Sequence, residues 1–357
     1  MSVEPGTPVS VMAGKGAYNR NSAIPAAGGA LAIPFLARAA EKIALDDTDR
    51  PLVIADYGSS EGRNSLAPMR AAIAILRRRA GSERPIQVYH TDLPENDFNS
   101  LFDVLAAHAD RYDRGQANVF PAAIGRSFYE SVLPPATVDL GWSSYAAVWL
   151  SRIPQQIPNH FVPRFSTGAV REAFDRQAAK DWARFLSLRA AELRPGGRLV
   201  VALPSLADDG STAFAPIFDV ANDVLAEFVR TGFITSKERL GMTIGTNPRR
   251  RADLLAPFAS GPFHGLAVEH CETVVAPDFV WSDFERDHDA QALARKRAGF
   301  FRAVFAPAMA QTLAQGRNEA EREAFAARLE DEVALRLADQ PARIDHLVGI
   351  ISLSKPS

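Results

Sequence analysis

LVIADYGSSEGRN, residues Leu52 to Asn64, decides how this chain folds. It opens as an apolar, β-branched run, reaches an acid at Asp56 and passes into turn-forming residues, the pattern of a buried strand that ends in a loop. Outward toward the carboxyl terminus, Ser65 to Ala80 predicts a helix, with Leu66, Met69, Ile73 and Leu76 three and four apart and Gly81 as its stop. A second strand follows in VYHTDLPENDFN, Val88 to Asn99, and it too runs into an acid, Asp92. Strand, helix and strand make a βαβ unit. Two strands thus deliver carboxylates to one edge of a sheet. In a doubly wound α/β fold, ligands sit outside the carboxyl ends of the strands, and an acid after the second strand typically holds ribose hydroxyls. The pair points to an adenosine-bearing cofactor.

Phe98 to His108 begins the next helix, and further apolar runs at Ala136–Trp142, Gly196–Pro204, His264–Val275 and Asp345–Leu353 read as the fourth to last strands of the same sheet. A long helical pattern from about Val170 to Leu193 carries Phe174, Trp182, Phe185 and Leu186 as a stripe, and Pro-Gly-Gly turns it into a strand. The stretches 155–180, 205–260 and 285–335 do not alternate with strands and read as a helical cap, the last with an amphipathic series at Phe325, Leu329, Val333 and Leu337. Residues 1–30, rich in Gly, Ser, Pro and Ala, read as an irregular arm or lid. The expected division is a lid at 1–30, a core domain at 31–204 and 264–357, and a cap at about 205–263 with parts of 155–180 and 285–335.

The 357 residues are 47% hydrophobic and 23% charged, with a formal net charge of −2. These are ordinary globular values, and the charge argues against a general grip on nucleic acid. Arg77–Arg79 and Arg249–Arg251 read as solvated faces. A single cysteine, Cys271, allows no internal disulfide and no thiolate metal cluster, which fits a reducing cytoplasm. The start of the chain lacks the pattern of a secretory signal, and no apolar run is long enough to span a bilayer. The expectation is a soluble cytoplasmic protein with no membrane or nucleic-acid partner.

The turn after the first strand places Gly58 and Gly62 with three residues between them, which is not the G-x-G-x-x-G of a nicotinamide site. There the second glycine lets backbone approach a pyrophosphate, whereas here Ser60 carries a side chain. A cofactor without phosphates, S-adenosylmethionine, suits the turn better. The alternative is that Asp56 caps a helix and Asp92 a turn.

Together these segments resemble the SABATH family, the plant salicylate, benzoate and theobromine methyltransferases. The resemblance implies a Rossmann-like class I methyltransferase fold, α/β with a seven-stranded sheet and an α-helical cap. MAGKGAYNRNS is similar to the family's lid, implying that Tyr18 and Ser22 face the methionine part of the cofactor. DYGSSEGRN is similar to its first loop, with Asp56, Gly58, Ser59 and Asn64 at matching places. TDLPENDFN is the closest match and implies Asp92 on the ribose and Leu93 against the adenine. GRSFYESVLPP implies Ser127 and Phe128 beside the adenine, and WSSYAAVWLSRIP is similar to the substrate-side segment.

The chain also departs from the family. Tyr57, Ser59, Glu61 and Arg63 replace its usual leucine, cysteine, small residue and proline. Pro25 stands where the carboxylate-binding members have glutamine, and proline offers neither a side-chain donor nor a backbone N–H. The plant members' metal positions match Leu240, Met242 and Thr243, which are poor cation ligands, so no metal is expected. His264 and His270 lack a third ligand, and the acids from Asp283 to Asp289 lack the glycine and terminal glutamate of a calcium loop.

Tyr145 and Trp149 are four apart, hence on one face if their segment is helical, and each combines an apolar wall with one polar tip. The resemblance puts both against the acceptor, with Trp149 donating to a carboxylate, and puts Pro25 beside them. A carboxylic acid of ordinary pKa, about 4, is ionised at neutral pH, so no general base is required. No catalytic acid, base or nucleophile is expected, only positioning. The reading is methyl transfer from S-adenosylmethionine to a small, aromatic carboxylic acid. The alternatives are N- or O-methylation of a heteroaromatic or phenolic acceptor and, in another class, nicotinamide-dependent oxidoreduction. The resemblance also leans to a homodimer.

Overall fold

Strand β1 (Leu52–Tyr57) pairs in parallel with β2 (Ile86–Asp92), Asp56 opposite His90 and Tyr57 opposite Thr91. β1 is buried along its length because it is central, and its neighbours on either side are parallel strands. With β3 (Val119–Gly125), β4 (Val138–Ser144), β5 (Leu193–Pro204), β6 (Ala267–Ala276) and β7 (His346–Ser354), they form one seven-stranded sheet of order β3-β2-β1-β4-β5-β7-β6. β7 runs opposite to the other six strands, so its pairings with β5 and β6 are antiparallel. This is the mixed, doubly wound sheet expected, and its switch point lies between β1 and β4. These relations come from a computed structural model that describes residues 12–46 and 48–357. Residues 1–11, the start of the expected lid, lie outside the described residues.

Strand β3 is the one no apolar run announced. Its sequence, VFPAAIG, is half-exposed at the sheet edge, where Pro121 costs no ladder bond that a central strand would need. The amino-terminal arm also differs from expectation, since it is helical: α1 (Ala17–Asn21) and α2 (Ala23–Ala30) precede α3 (Ile33–Lys42). Pro25 sits in the first turn of α2, where the missing N–H has no helical partner to lose. Next come α4 (Leu66–Ala80), α5 (Phe98–Ala107) and the long α6 (Gly168–Glu192), whose Trp182, Phe185 and Leu186 bury against the sheet face lined by Val53, Leu199 and Ile351.

The remaining helices are α7 (Ala215–Arg230), α8 (Ser236–Gly241), α9 (Arg251–Leu255), α10 (Phe279–Asp287), α11 (Ala290–Gln311) and α12 (Glu319–Asp339). A separate apolar cluster joins Phe161 and Met242 to Phe228 of α7, Phe301 of α11 and Phe325, Leu329 and Val333 of α12. Burying each such aromatic contributes about 1.5–3 kcal/mol, enough to hold these helices together over the sheet's carboxyl edge. Leu254, within the 205–263 stretch read as cap, packs instead into the sheet cluster. The acids read as a solvated face or helix start include Asp289, which caps α11 by accepting from Ala292 N at 2.8 Å. Arg249 is not solvated: it is buried, donating to the carbonyls of Ala147 (2.5 Å) and Ala178 (3.1 Å), and so ties the loop after β4 to α6.

Candidate active site

Two residues of register separate the two acids. Tyr57, opposite Thr91, closes β1, so Asp56 lies inside the strand and its carboxylate turns into the layer between sheet and helices. There Oδ2 accepts from Ser65 Oγ at 2.5 Å and lies 2.9 Å from His90 Nδ1, and His90 Nε2 lies 2.8 Å from Tyr112 Oη. Asp92, one position beyond Thr91 and the last residue of β2, lies past the end of β1 and lines a cavity of about 640 Å³. Asp56 therefore does not reach the cavity, contrary to the sequence expectation; its partners place it one layer behind.

Asp92 is held by backbone. Its Oδ2 accepts from Ser60 N (2.7 Å) and its Oδ1 from Leu93 N (2.8 Å). Each oxygen retains a lone pair for a further donor. Burial pushes its carboxyl up to about 6, against the pull of those two N–H groups and with help from nearby Asp56. Ser60 has φ of 49° and lines the cavity, and its buried hydroxyl has no partner among the described residues. Backbone in that region costs energy and collects at binding sites. Gly58, at φ 87°, allows the loops after β1 and β4 to approach closely: a Cβ there would come within 2.1 Å of the Ala146 side chain. A carboxylate with spare lone pairs beside an orphaned hydroxyl, at the switch point of a doubly wound sheet, fits the ribose of an adenosine cofactor without phosphates.

Of the other residues expected on the cofactor side, Tyr18, Leu93, Ser127 and Phe128 line the cavity. Ser22, Ser59 and Asn64 do not. Ser22 Oγ donates to Asn64 Oδ1 at 3.3 Å, Asn64 is also bonded to the Tyr18 hydroxyl, and Ser59 is buried. Burial raises the Tyr18 phenol well above its ordinary range. Glu61, noted only as a departure, latches the arm: its oxygens accept from Gly16 N (2.7 Å) and Asn19 N (2.8 Å). Asp97, the cap of α5, accepts from Lys15 N at 2.7 Å in the same way.

On the other side stand Pro25, Tyr145 and Trp149, all lining the same cavity. Their segment is not helical. Tyr145 has φ of 58°, and the backbone of Trp149 forms a bridge with Thr246. The two side chains meet the cavity because the loop is braced, by Arg249 from behind and by Tyr129, whose hydroxyl donates to Trp149 O at 2.6 Å. The cap closes this side with Phe214, Phe218, Phe300 and Phe305, the last with its ring centroid 6.0 Å from that of Trp149. Sequence reading missed these phenylalanines individually and missed Tyr129, Ser60 and Arg164, which also line the cavity. The dense GFFRAVF run at 299–305 was the available signal for two of them.

Fold and cavity together define a class I methyltransferase architecture. The model of the SAM-dependent carboxyl methyltransferase family matches residues 9–355, and the chain belongs to that family. Its similarity to Methyltransferase LUC1 of Fusarium sp is 34% identity over 226 residues, 62% of this chain and 59% of that protein. A benzoic acid/salicylic acid carboxyl methyltransferase 3 of Petunia hybrida is 31% identical over 201 residues, 52% of this chain and 56% of the relative. The aligned part of this chain thus spans less than two thirds of these curated relatives. A solved structure, loganic acid methyltransferase with SAH, superposes with a TM-score of 0.73 over 98% of this chain and 99% of its own, at 21% identity, a likeness of fold. Family membership sets aside the nicotinamide alternative.

Proposed function

We propose that the protein methylates the carboxylate of a small, aromatic acid, giving a methyl ester and S-adenosylhomocysteine. The observation that carries the reading is one cavity with Asp92 and Ser60 at the sheet edge and Trp149 and Tyr145 facing a wall of phenylalanines. When bound, S-adenosylmethionine supplies a methyl group made electrophilic by its sulfonium. Asp92 would hold the ribose hydroxyls, Leu93 and Phe128 the adenine, and Tyr18 the methionine end. Trp149 would donate its indole N–H to the acceptor carboxylate.

The remaining task of the chain is geometric. An acid ionised at neutral pH needs no base, so the side chains must align it and keep water out, an effect of orientation worth up to about 7–11 kcal/mol. The phenylalanines supply the dry wall and favour a flat, apolar body on the acid. The lone Cys271 thiol is consistent with a reducing cytoplasm, and the family resemblance supports a homodimer. The test is turnover of S-adenosylmethionine against a panel of benzoates, indole acetates, fatty acids, phenols and purines. Aromatic acids should be consumed in preference to the rest; turnover confined to purines or phenols would replace the carboxylate reading.

A further inference from the structure

Behind the acceptor wall, the Tyr145 hydroxyl has a partner more than two hundred residues away in the chain: its Oη lies 2.6 Å from Nε2 of His346, the first residue of β7. His346 is 4% exposed, and its ring packs against Phe214 of the cavity wall at 5.0 Å. The hydroxyl also presses on α2, where a Cβ at Gly28 would come within 1.8 Å of Oη. Gly28 lies one helical turn beyond Pro25 and on the same face. Tyr145 thus presents its polar tip beside the turn of α2 where Pro25 has no donor to offer.

A phenol has one proton and can point it in only one direction, while a carboxylate can only accept. If Tyr145 donates to His346, the cavity meets oxygen lone pairs, which repel a carboxylate and suit an N–H or phenol acceptor. If His346 donates to Tyr145, the phenol proton faces the cavity. Resting on the function proposed above, we propose that His346 is a positioning residue: it donates Nε2–H to Tyr145 Oη, so that the Tyr145 hydroxyl donates to the acceptor carboxylate in place of the contact Pro25 cannot make. Burial holds the His346 ring down to about 4, despite the nearby charges of Asp278 and Asp345, so it carries a single proton at neutral pH.

The test compares wild type, His346→Phe, His346→Gln and Tyr145→Phe, using the aromatic acid of the panel that the wild type turns over fastest. His346→Phe keeps the ring packing and loses the donor; His346→Gln restores an N–H. His346→Phe should raise KM for the acid about tenfold or more, with the Kd for S-adenosylhomocysteine within twofold of wild type. His346→Gln should recover most of that loss, and adding Tyr145→Phe to His346→Phe should change little further. A His346→Phe KM within twofold of wild type would overturn the proposal, as would a His346→Gln enzyme as impaired as His346→Phe. A wild type that turns over no carboxylic acid would instead overturn the function proposed above, and this inference with it.

Discussion

At the sheet edge, Asp92 takes its position from strand register and two backbone N–H groups supplied by its own and the adjacent loop. Across the cavity, Trp149 takes its position from side chains of distant segments: Tyr129 on its carbonyl, Arg249 behind its loop and Phe305 of α11 against its ring. The first arrangement is local and made of main chain, and the second is long-range and made of packing. Changes on the cofactor side should therefore act on one ligand through one contact, while changes on the acceptor side should spread through a shared wall.

The largest expected effect is Trp149→Ala. Truncating a central aromatic anchor costs about 2 kcal/mol or more, so kcat/KM for an aromatic acid should fall at least about thirtyfold, with S-adenosylhomocysteine affinity within twofold by calorimetry. Equal losses on both ligands would break the separation between the halves. Asp92→Ala should do the reverse, weakening S-adenosylhomocysteine binding about tenfold or more, since a charge-assisted contact is worth about 1.5–3 kcal/mol; unchanged affinity would remove Asp92 from the ribose.

The raised carboxyl of Asp92 gives the same side a pH dependence. Burial lifts the group to about 6, above its ordinary value, so the stability it contributes is present at low pH and is lost as pH rises through 6. Ribose donors need the ionised form. Cofactor affinity should thus hold above pH 6 and fall up to about tenfold per pH unit below it, and Asp92→Asn should flatten the profile. A smaller effect is expected of Gly28→Ala. The new methyl would displace the Tyr145 hydroxyl, and an overpacking cost of about 1 kcal/mol, the low end of its usual range, corresponds to about a fivefold rise in acceptor KM with cofactor binding unchanged.

The same contrast explains what could be read from sequence. TDLPENDFN announced Asp92 because its place depends on residues beside it, and the strands that carry the sheet were legible as apolar runs bounded by turns. Sequence does not show where β1 ends relative to β2: the strand closes at Tyr57, and Asp56 lies two residues of register short of Asp92, with its carboxylate behind the cavity rather than in its lining. Ser22, Ser59 and Asn64 lie beside lining residues without lining the cavity themselves. Strand β3 escaped notice because an edge tolerates proline and alanine. On the acceptor side, His346 and Tyr145 are 201 positions apart, and nothing local to either signals that they meet. Arg249 looked like one of three solvated arginines until the loop after β4 folded over it.

The chemical fate of the methyl group tests the central claim most directly. After incubation of the protein with methyl-labelled S-adenosylmethionine and an aromatic acid, the product is treated with mild alkali. Methyl transfer to a carboxylate predicts that the label returns as methanol and that the parent acid is recovered. Label that stays on the product through alkali would mean transfer to nitrogen, carbon or a phenolic oxygen, and would contradict the assignment of Trp149 and Tyr145 to a carboxylate.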